Sequence, residues 1–141
     1  MEDDLYTGIL RVTLEQIKER NFKPEKHTVA FLDDADEWYG YIVGGKIRSV
    51  LGVSNRHGGK YIQSCYTEPE YRRRGLLCSL ISYVCDLYND DNKMVVHCLA
   101  SSKGAFEACG FEHYHTVYFK HGTQWFMKKE AKNAGRKKTE T

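Results

Sequence analysis

A helical pattern set between two strand-like runs is the feature that most constrains the fold of this chain. The runs are Tyr61–Thr67 and Met94–Ala100, and between them apolar residues recur every three or four positions from Leu76 to Tyr88. That spacing is typical of a helix with one buried face. A helix that connects two strands of one sheet in this way makes them parallel neighbours. Met94–Ala100 is apolar except for His97, as expected of a strand that is buried on both faces.

Short strand-like runs around this crossover indicate an antiparallel meander that leads into it. They are Thr28–Leu32, Trp38–Val43, Ile47–Ser54 and Tyr61–Thr67. The segments between them are rich in Asp, Asn and Gly and are too short to connect parallel neighbours.

We predict a helix over residues 4–20, before the meander. Its apolar residues fall on one side: Leu5, Ile9, Val12 and Ile17. Asp3 or Asp4 can cap this helix. Gly8 can divide it, and Thr13 with Gln16 resembles a capping box that opens a second piece.

After the crossover, the sequence predicts a short helix and a terminal hairpin. Ser101 or Ser102 caps the helix Lys103–Cys109, which Gly110 ends. The hairpin strands are His113–Lys120 and Gln124–Lys129, joined by a turn at His121. The whole is a mixed α/β sheet in one domain over residues 1–130, and we expect the basic tail, residues 131–141, to be disordered.

Composition excludes several classes of protein. Hydrophobic residues make up 41% and aromatic residues 13% of the 141 residues, too many for a disordered chain. No run approaches the roughly 18 apolar residues of a membrane helix, and the acidic start Met1–Asp4 differs from a secretory or mitochondrial leader. We therefore expect a cytoplasmic protein that does not bind a membrane.

The distribution of charge and the spacing of the cysteines limit the binding partners and the metal sites that we expect. The net charge is +2, but the segment from Lys128 onward carries +4 and the rest of the chain −2, so nucleic acid is not an expected partner. The five cysteines lack a C-x-x-C pair and do not cluster with the six histidines. This pattern predicts reduced thiols and no metal site, although His113 and His115, two apart on a predicted strand, can face one side.

The segment Thr67–Cys78 joins the end of a predicted strand to the start of a predicted helix, where unpaired N–H groups attract anions. Gly75 lets a ligand approach the backbone closely, and Arg72–Arg74 raise the positive potential. With a single glycine, the segment matches neither the G-x-x-x-x-G-K-[ST] loop nor the G-x-G-x-x-G loop. It predicts a phosphate or pyrophosphate site, with a solvated basic turn as the alternative.

This junction resembles the GNAT N-acetyltransferase superfamily. That family carries hydrophobic-x-Pro-x-x-[Arg/Gln]-x-x-Gly-x-[Gly/Ala], and the counterpart in this chain is Thr67-x-Pro69-x-x-Arg72-x-x-Gly75-x-Leu77. The resemblance continues at Glu107–Phe111, which is similar to the family's Glu-x-x-Gly-Phe, and the order of elements agrees from about residue 28 to residue 129. The chain departs from the pattern at Leu77, where the family has a small residue.

The resemblance implies a donor, an acceptor and a set of contacts. The donor would be acetyl-CoA, and the acceptor a primary amine of a small molecule or of a protein. The end of the fourth strand would meet the pantetheine arm and the acetyl carbonyl through Cys65, Tyr66 and Thr67. The amides of the turn would wrap the pyrophosphate: Arg72, Arg73, Arg74, Gly75, Leu76, Leu77 and Cys78. Further contacts are implied for Ser102 and Phe106, near the positions where the family often has an Asn and a general-acid Tyr.

A general base must take the proton of the amine, and the sequence offers several candidates for it. His97 is the first candidate, because imidazole titrates near neutral pH and the thioester is expected where Tyr61–Thr67 separates from Met94–Ala100. A hydrogen-bonded core histidine is the alternative for His97. The other candidates are Tyr61 or Gln63 through water, His113 and His115.

We therefore expect an enzyme that moves an acetyl group from acetyl-CoA directly to an amine. The alternative is a weak or inactive module of the same fold that binds a protein partner. Phe106, which has no hydroxyl group, favours that alternative, and the intact arginine–glycine turn opposes it. A nucleic-acid binder that uses Arg72–Arg74 and the basic tail is a third hypothesis. The sequence does not determine the oligomeric state, and a dimer is among the states that it allows.

Overall fold

A computed structural model describes residues 5–22, 35–120 and 122–133. The helices of this part are α1 (Leu14–Glu19), α2 (Leu76–Tyr88) and α3 (Ala100–Ala108), with one 3₁₀ turn at Pro69–Tyr71. The strands are β1 (Gly8–Val12), β2 (Glu37–Val43), β3 (Lys46–Arg56), β4 (Gly59–Thr67), β5 (Met94–Cys98), β6 (Glu112–Phe119) and β7 (Gly122–Lys129). No helix among the described residues combines the length and the apolar character needed to cross a membrane.

The strands form one mixed sheet in the order β1-β2-β3-β4-β5-β7-β6. β4 and β5 are parallel, with register from Lys60↔Met94 to Ile62↔Val96. The predicted crossover is therefore confirmed, and so is the mixed α/β class. The terminal hairpin is also confirmed, and β7 rather than β6 pairs with β5.

The chain divides into two compact units, Met1–Ser54 with Gln63–Leu80 and Asn55–Ile62 with Ile81–Thr141. The first unit has a core made of Val12, Ile17, Trp38, Ile42, Ile47, Val50 and Tyr66. α1 starts at a capping box: the Gln16 amide donates to Thr13 Oγ1 at 3.1 Å, and the Thr13 amide donates to Gln16 Oε1 at 2.9 Å. The predicted box is therefore confirmed.

The second unit has its own core of fully buried side chains. They are Ile62, Ile81, Val84, Met94, Val95, Phe106 and Met127. Asn89, at the end of α2, is also buried, and its Nδ2 donates to the carbonyls of Lys129 at 3.4 Å and Glu130 at 3.1 Å. That side chain ties the end of α2 to the end of β7.

The helix predicted over residues 4–20 is wrong in its first half. Gly8–Val12 is strand β1, paired antiparallel with β2 from Gly8↔Ile42 to Val12↔Trp38. The apolar spacing suits a helix, but hydrogen bonds to a distant strand outweigh so weak a local preference.

Two boundaries at the other end of the chain also differ from prediction. α3 starts earlier, at Ala100, with Leu99 as N-cap and no side-chain cap; the Ser102 hydroxyl instead donates to the Leu99 carbonyl at 3.5 Å. The tail is ordered at its start, because the amides of Lys132 and Asn133 each donate to a carbonyl at the end of α2 at 2.9 Å.

Other predictions lie outside the described residues. They concern the caps Asp3 and Asp4, the strand Thr28–Leu32, the turn residue His121 and the tail from residue 134. A single domain over residues 1–130 stays a prediction.

Candidate functional site

The turn after β4 lies in the first unit and has an unusual backbone. It opens with the 3₁₀ turn Pro69–Tyr71, continues through Arg73 at φ 64° and Gly75 at φ 78°, and ends where α2 begins at Leu76. Two residues in the left-handed region reverse the chain within a few positions. The strand-to-helix junction predicted from the sequence is therefore present.

Open space surrounds Gly75. A Cβ added to this residue would meet no atom within 4 Å, so its backbone is accessible from outside. The first amides of α2, at Leu76 and Leu77, have no intrahelical acceptor by the geometry of a helix, and they carry the positive end of its dipole. The Leu76 side chain is buried and that of Leu77 is half-buried. The turn can therefore present N–H groups to an anion.

Arginine side chains surround the turn with positive charge. Arg72, Arg73 and Arg74 are all exposed. Arg72 Nε donates to the Thr67 carbonyl at 2.9 Å, and the guanidinium of Arg74 lies 4.8 Å from the centre of the Tyr71 ring. These contacts hold two of the three charges beside the turn.

Glu68 anchors the start of this turn to two other elements. Its carboxylate forms ion pairs with Arg20, at the end of α1, and with Arg48 Nη1 on β3 at 3.2 Å. The Arg48 guanidinium in turn lies 4.6 Å from the centre of the Tyr71 ring. The carboxylate fixes the entry to the turn and is already paired, so the repulsion it exerts on an anion is weakened.

The end of β4 departs from regular strand geometry. Ser64 has φ 54°, and three consecutive residues, Ile62 to Ser64, are buried, which regular alternation does not allow. Gln63 is held by the Ser54 hydroxyl, which donates to its Oε1 at 2.7 Å. Among the described residues, the buried Ser64 hydroxyl has no hydrogen-bond partner. The sequence carries no signal for this irregularity.

The predicted strand-end contacts follow Ser64. Cys65 is half-buried, Tyr66 is buried with its ring 5.1 Å from that of Phe22, and Thr67 shares a hydrogen bond of 2.7 Å with Ser49. The Tyr66 ring belongs to the core of the first unit. The resemblance implies that a ligand meets the backbone of these three residues, and that contact stays a prediction.

His97 belongs to the second unit and sits in a cluster of rings. Its imidazole stacks on Phe126 at 3.6 Å between centroids, and it lies 5.0 Å from the Tyr61 ring and 4.7 Å from the His57 ring. Burial, and next the charge of His57, lower the pKa of His97 to about 4. The expectation that His97 titrates near neutral pH is therefore wrong: the ring is neutral at pH 7 and is a weak base.

Two further candidate bases, His113 and His115, lie on β6. A bulge at Tyr114 pairs His113 with Met127 and His115 with Phe126. Because Met127 and Phe126 are consecutive on β7, the two histidines point to opposite faces of the sheet, which corrects the prediction that they can face one side. His113 Nε2 is 2.6 Å from Thr116 Oγ1, and both histidines are exposed.

Two predicted cofactor contacts lie on α3. Ser102 is half-buried in its first turn, and Phe106 is fully buried with its ring 5.1 Å from that of Phe111. A side chain without exposed surface contacts a ligand only if the core opens, so the burial of Phe106 counts against its role. The other assignments stay predictions.

Reactive thiols and metal ligands do not form a second site in the described part of the chain. All five cysteines lie in the described part of the chain and are thiols rather than disulfides, and burial raises the pKa of both Cys85 and Cys98 to about 11. Within the described ranges, no three His, Cys, Asp or Glu side chains are placed to hold a metal ion.

Comparisons with solved structures identify the fold. The ribosomal-protein-S18-alanine N-acetyltransferase of Escherichia coli is 12% identical, covers 87% of this chain and 91% of its own, and superposes with a TM-score of 0.67. Naa50 of Arabidopsis thaliana, in complex with the bisubstrate analogue CoA-Ac-MVNAL, is 14% identical, with coverages of 88% and 98% and a TM-score of 0.66. An N-acetyltransferase of Staphylococcus aureus Mu50 is 12% identical, with coverages of 65% and 69% and a TM-score of 0.56.

Comparisons of sequence give the family. No curated protein matches the chain. The family model described as "Acetyltransferase (GNAT) family" matches residues 3–111, a range that includes the turn after β4 and the Gly110-Phe111 pair. The chain belongs to the GNAT acetyltransferase family.

Proposed function

We propose that this protein transfers an acetyl group from acetyl-CoA directly to a primary amine. The observation that carries the proposal is the turn after β4, where the open backbone at Gly75, three exposed arginines and the start of α2 lie within a few residues. Such a turn suits a diphosphate, because N–H groups and guanidinium groups both bind phosphate oxygens.

The residues present fit the donor. The amides from Arg72 to Cys78 would hold the pyrophosphate of acetyl-CoA, and the half-buried Leu77 leaves its own amide available. The backbone from Cys65 to Thr67 would lie along the pantetheine arm. When bound, acetyl-CoA supplies a thioester whose carbonyl carbon is open to attack by an amine. Backbone N–H groups near Thr67 would stabilise the negative charge that develops on the carbonyl oxygen.

His97 would accept the proton of the amine. His97 is neutral at pH 7 because the pKa of its imidazole is lowered to about 4, so it has a free lone pair. A base this weak holds a proton only briefly, and so it acts late, as the amine bonds to the carbonyl carbon and becomes acidic. Positioning of the two substrates would supply most of the rate.

Two structural neighbours suggest which class of amine acceptor to test first. The structural neighbours that cover most of this chain include an enzyme named for the alanine of a ribosomal protein and an enzyme bound to an analogue that contains the peptide MVNAL. We therefore propose a protein or peptide amine as the first acceptor to test, with small-molecule amines second.

The test measures thiol release from acetyl-CoA in the presence of three amine sets: peptides with a free N-terminus, N-blocked peptides that contain lysine, and small polyamines. We expect one set to accelerate thiol release well above hydrolysis and to yield an acetylated product by mass spectrometry. Binding of acetyl-CoA without acceleration by any amine would contradict the proposal.

A binding module is the second candidate, and one observation favours it. Phe106 occupies the position of the family's usual acid, has no hydroxyl group, and is fully buried. A thiolate with a pKa of about 8.5 leaves without much help near neutral pH, so the absence of that acid does not by itself exclude transfer.

A further inference from the structure

His57, in the turn between β3 and β4, has a strained backbone that the proposed mechanism does not explain. His57 and Gly58 have φ values of 56° and 76°, the pattern of a type I′ turn, whose usual residues are Asn and Gly. A left-handed conformation is sterically unfavourable for a residue that has a Cβ. A hydrogen bond holds the end of this turn, because the Lys60 amide donates to the Lys93 carbonyl at 2.8 Å. Gly59 permits this close approach, since a Cβ there would lie 2.2 Å from the same oxygen.

This backbone places the His57 ring against two other rings. The centroid of His57 is 4.7 Å from that of His97 and 4.9 Å from that of Tyr61, while Tyr61 and His97 are 5.0 Å apart. The three rings form a closed triangle within the second unit. His57 is exposed, whereas His97 is half-buried and covered on one side by Phe126. His57 therefore gives His97 a neighbouring imidazole that is in contact with water.

We infer that His57 is a positioning residue that acts through His97 and exports the proton of the acceptor amine. This inference rests on the proposed function. As the amine nitrogen bonds to the acetyl carbon, the C–S bond of the thioester would break and CoA would leave as its thiolate. The N–H bond of the amine would also break, and its proton would go to a ring nitrogen of His97. From there the proton would pass through a bridging water to His57 and on to solvent, so that His97 is neutral before the next turnover.

The surroundings of His97 explain why the proton leaves. A proton on His97 faces burial and a neighbouring imidazole, and two adjacent imidazoles do not both carry a charge easily. Phe126 on β7 offers no hydrogen bond to hold it. Four other titratable groups lie around the two histidines. Tyr61 is on β4, and Lys93 lies beside the turn. On the far side of Phe126, the His115 ring is 5.3 Å from the Phe126 ring, and Lys128 lies over the Tyr114 ring. Among these described neighbours no carboxylate is available to stabilise the imidazolium.

Two substitutions separate this role from a role in folding. Asn and Gly both tolerate a left-handed φ, so His57→Asn and His57→Gly preserve the turn. His57→Gly leaves room for free imidazole, whereas His57→Asn fills part of that room and serves as the matched control. The variants are compared in the acetyl-transfer assay between pH 5.5 and 9, and the C2 proton of His97 is titrated by NMR without substrates.

We expect kcat to fall about tenfold in both variants, with the KM for acetyl-CoA unchanged. Added imidazole restores activity in His57→Gly more than in His57→Asn, and the titration midpoint of His97 moves upward in both. Unchanged kcat in an active enzyme, or loss of activity with no rescue and no movement of the His97 midpoint, would overturn the role of His57 alone. A wild-type protein that transfers to no amine would overturn the proposed function, and the role of His57 with it.

Discussion

The imidazole of His97 lies flat on the ring of Phe126, with centroids 3.6 Å apart and planes 11° apart. The two residues are register partners on β5 and β7, so the sheet itself holds the stack. The stack removes one face of the imidazole from water, and burial is the main reason why the pKa of His97 falls to about 4.

Stability should depend on pH through His97. Its folded pKa of about 4 lies below the ordinary 6.5, so the unfolded chain binds the proton more readily between these values. The contribution of His97 to the free energy of unfolding should therefore fall as pH drops from about 6.5 to about 4 and should level off below that range. Urea unfolding at several pH values measures this dependence of the free energy of unfolding on pH. His97→Gln should reduce the slope in this window, and an unchanged slope would show that His97 is not its source.

Phe106→Tyr should destabilise the protein. Phe106 is fully buried against Phe111, and a hydroxyl buried without a partner costs about 1–3 kcal/mol. Phe119→Tyr is the matched control, because Phe119 is 56% exposed and the same change there should alter stability by less than about 0.5 kcal/mol. Denaturant midpoints compare the two. A Phe106→Tyr variant of full stability with a higher transfer rate would show instead that this ring reaches the acyl group.

The cysteines should differ in their reaction with a maleimide. Burial raises the pKa of Cys85 and Cys98 to about 11, so less than about one of these thiols in a thousand is ionised at pH 7.5. Cys65, Cys78 and Cys109 are half-buried and should be labelled first. Mass spectrometry of peptides after timed labelling reads the order. Labelling of Cys85 or Cys98 before the other three, in the folded protein, would contradict the burial described here.

Local patterns in the sequence predicted the parts of the fold that local forces determine. The apolar period from Leu76 to Tyr88 predicts the crossover helix, and Gly75, which follows three arginines, predicts the turn before it. The Thr13 capping box was also readable, since its two hydrogen bonds join residues three apart.

The features that the sequence did not predict depend on contacts between residues that are distant in sequence. The local pattern of residues 8–12 predicts a helix, because the strand character of β1 comes from its pairing with β2. The bulge at Tyr114 separates His113 from His115 only once β6 is aligned with β7. The pKa of His97 depends on Phe126 and His57, which belong to a different strand and a turn.

The central claim, that the turn after β4 grips the diphosphate of acetyl-CoA, is tested most directly by calorimetry with acetyl-CoA on a pair of glycine variants. Gly75→Glu puts a carboxylate into the turn. Gly44→Glu puts one into the β2–β3 turn, where the glycine also has a positive φ, 59°, and no atom within 4 Å of an added Cβ, so both variants carry a similar backbone strain and the same charge. We expect wild type and Gly44→Glu to bind with similar affinity and Gly75→Glu to lose binding while it stays folded by circular dichroism. Equal affinity in all three, or no binding to the wild-type protein, would contradict the account.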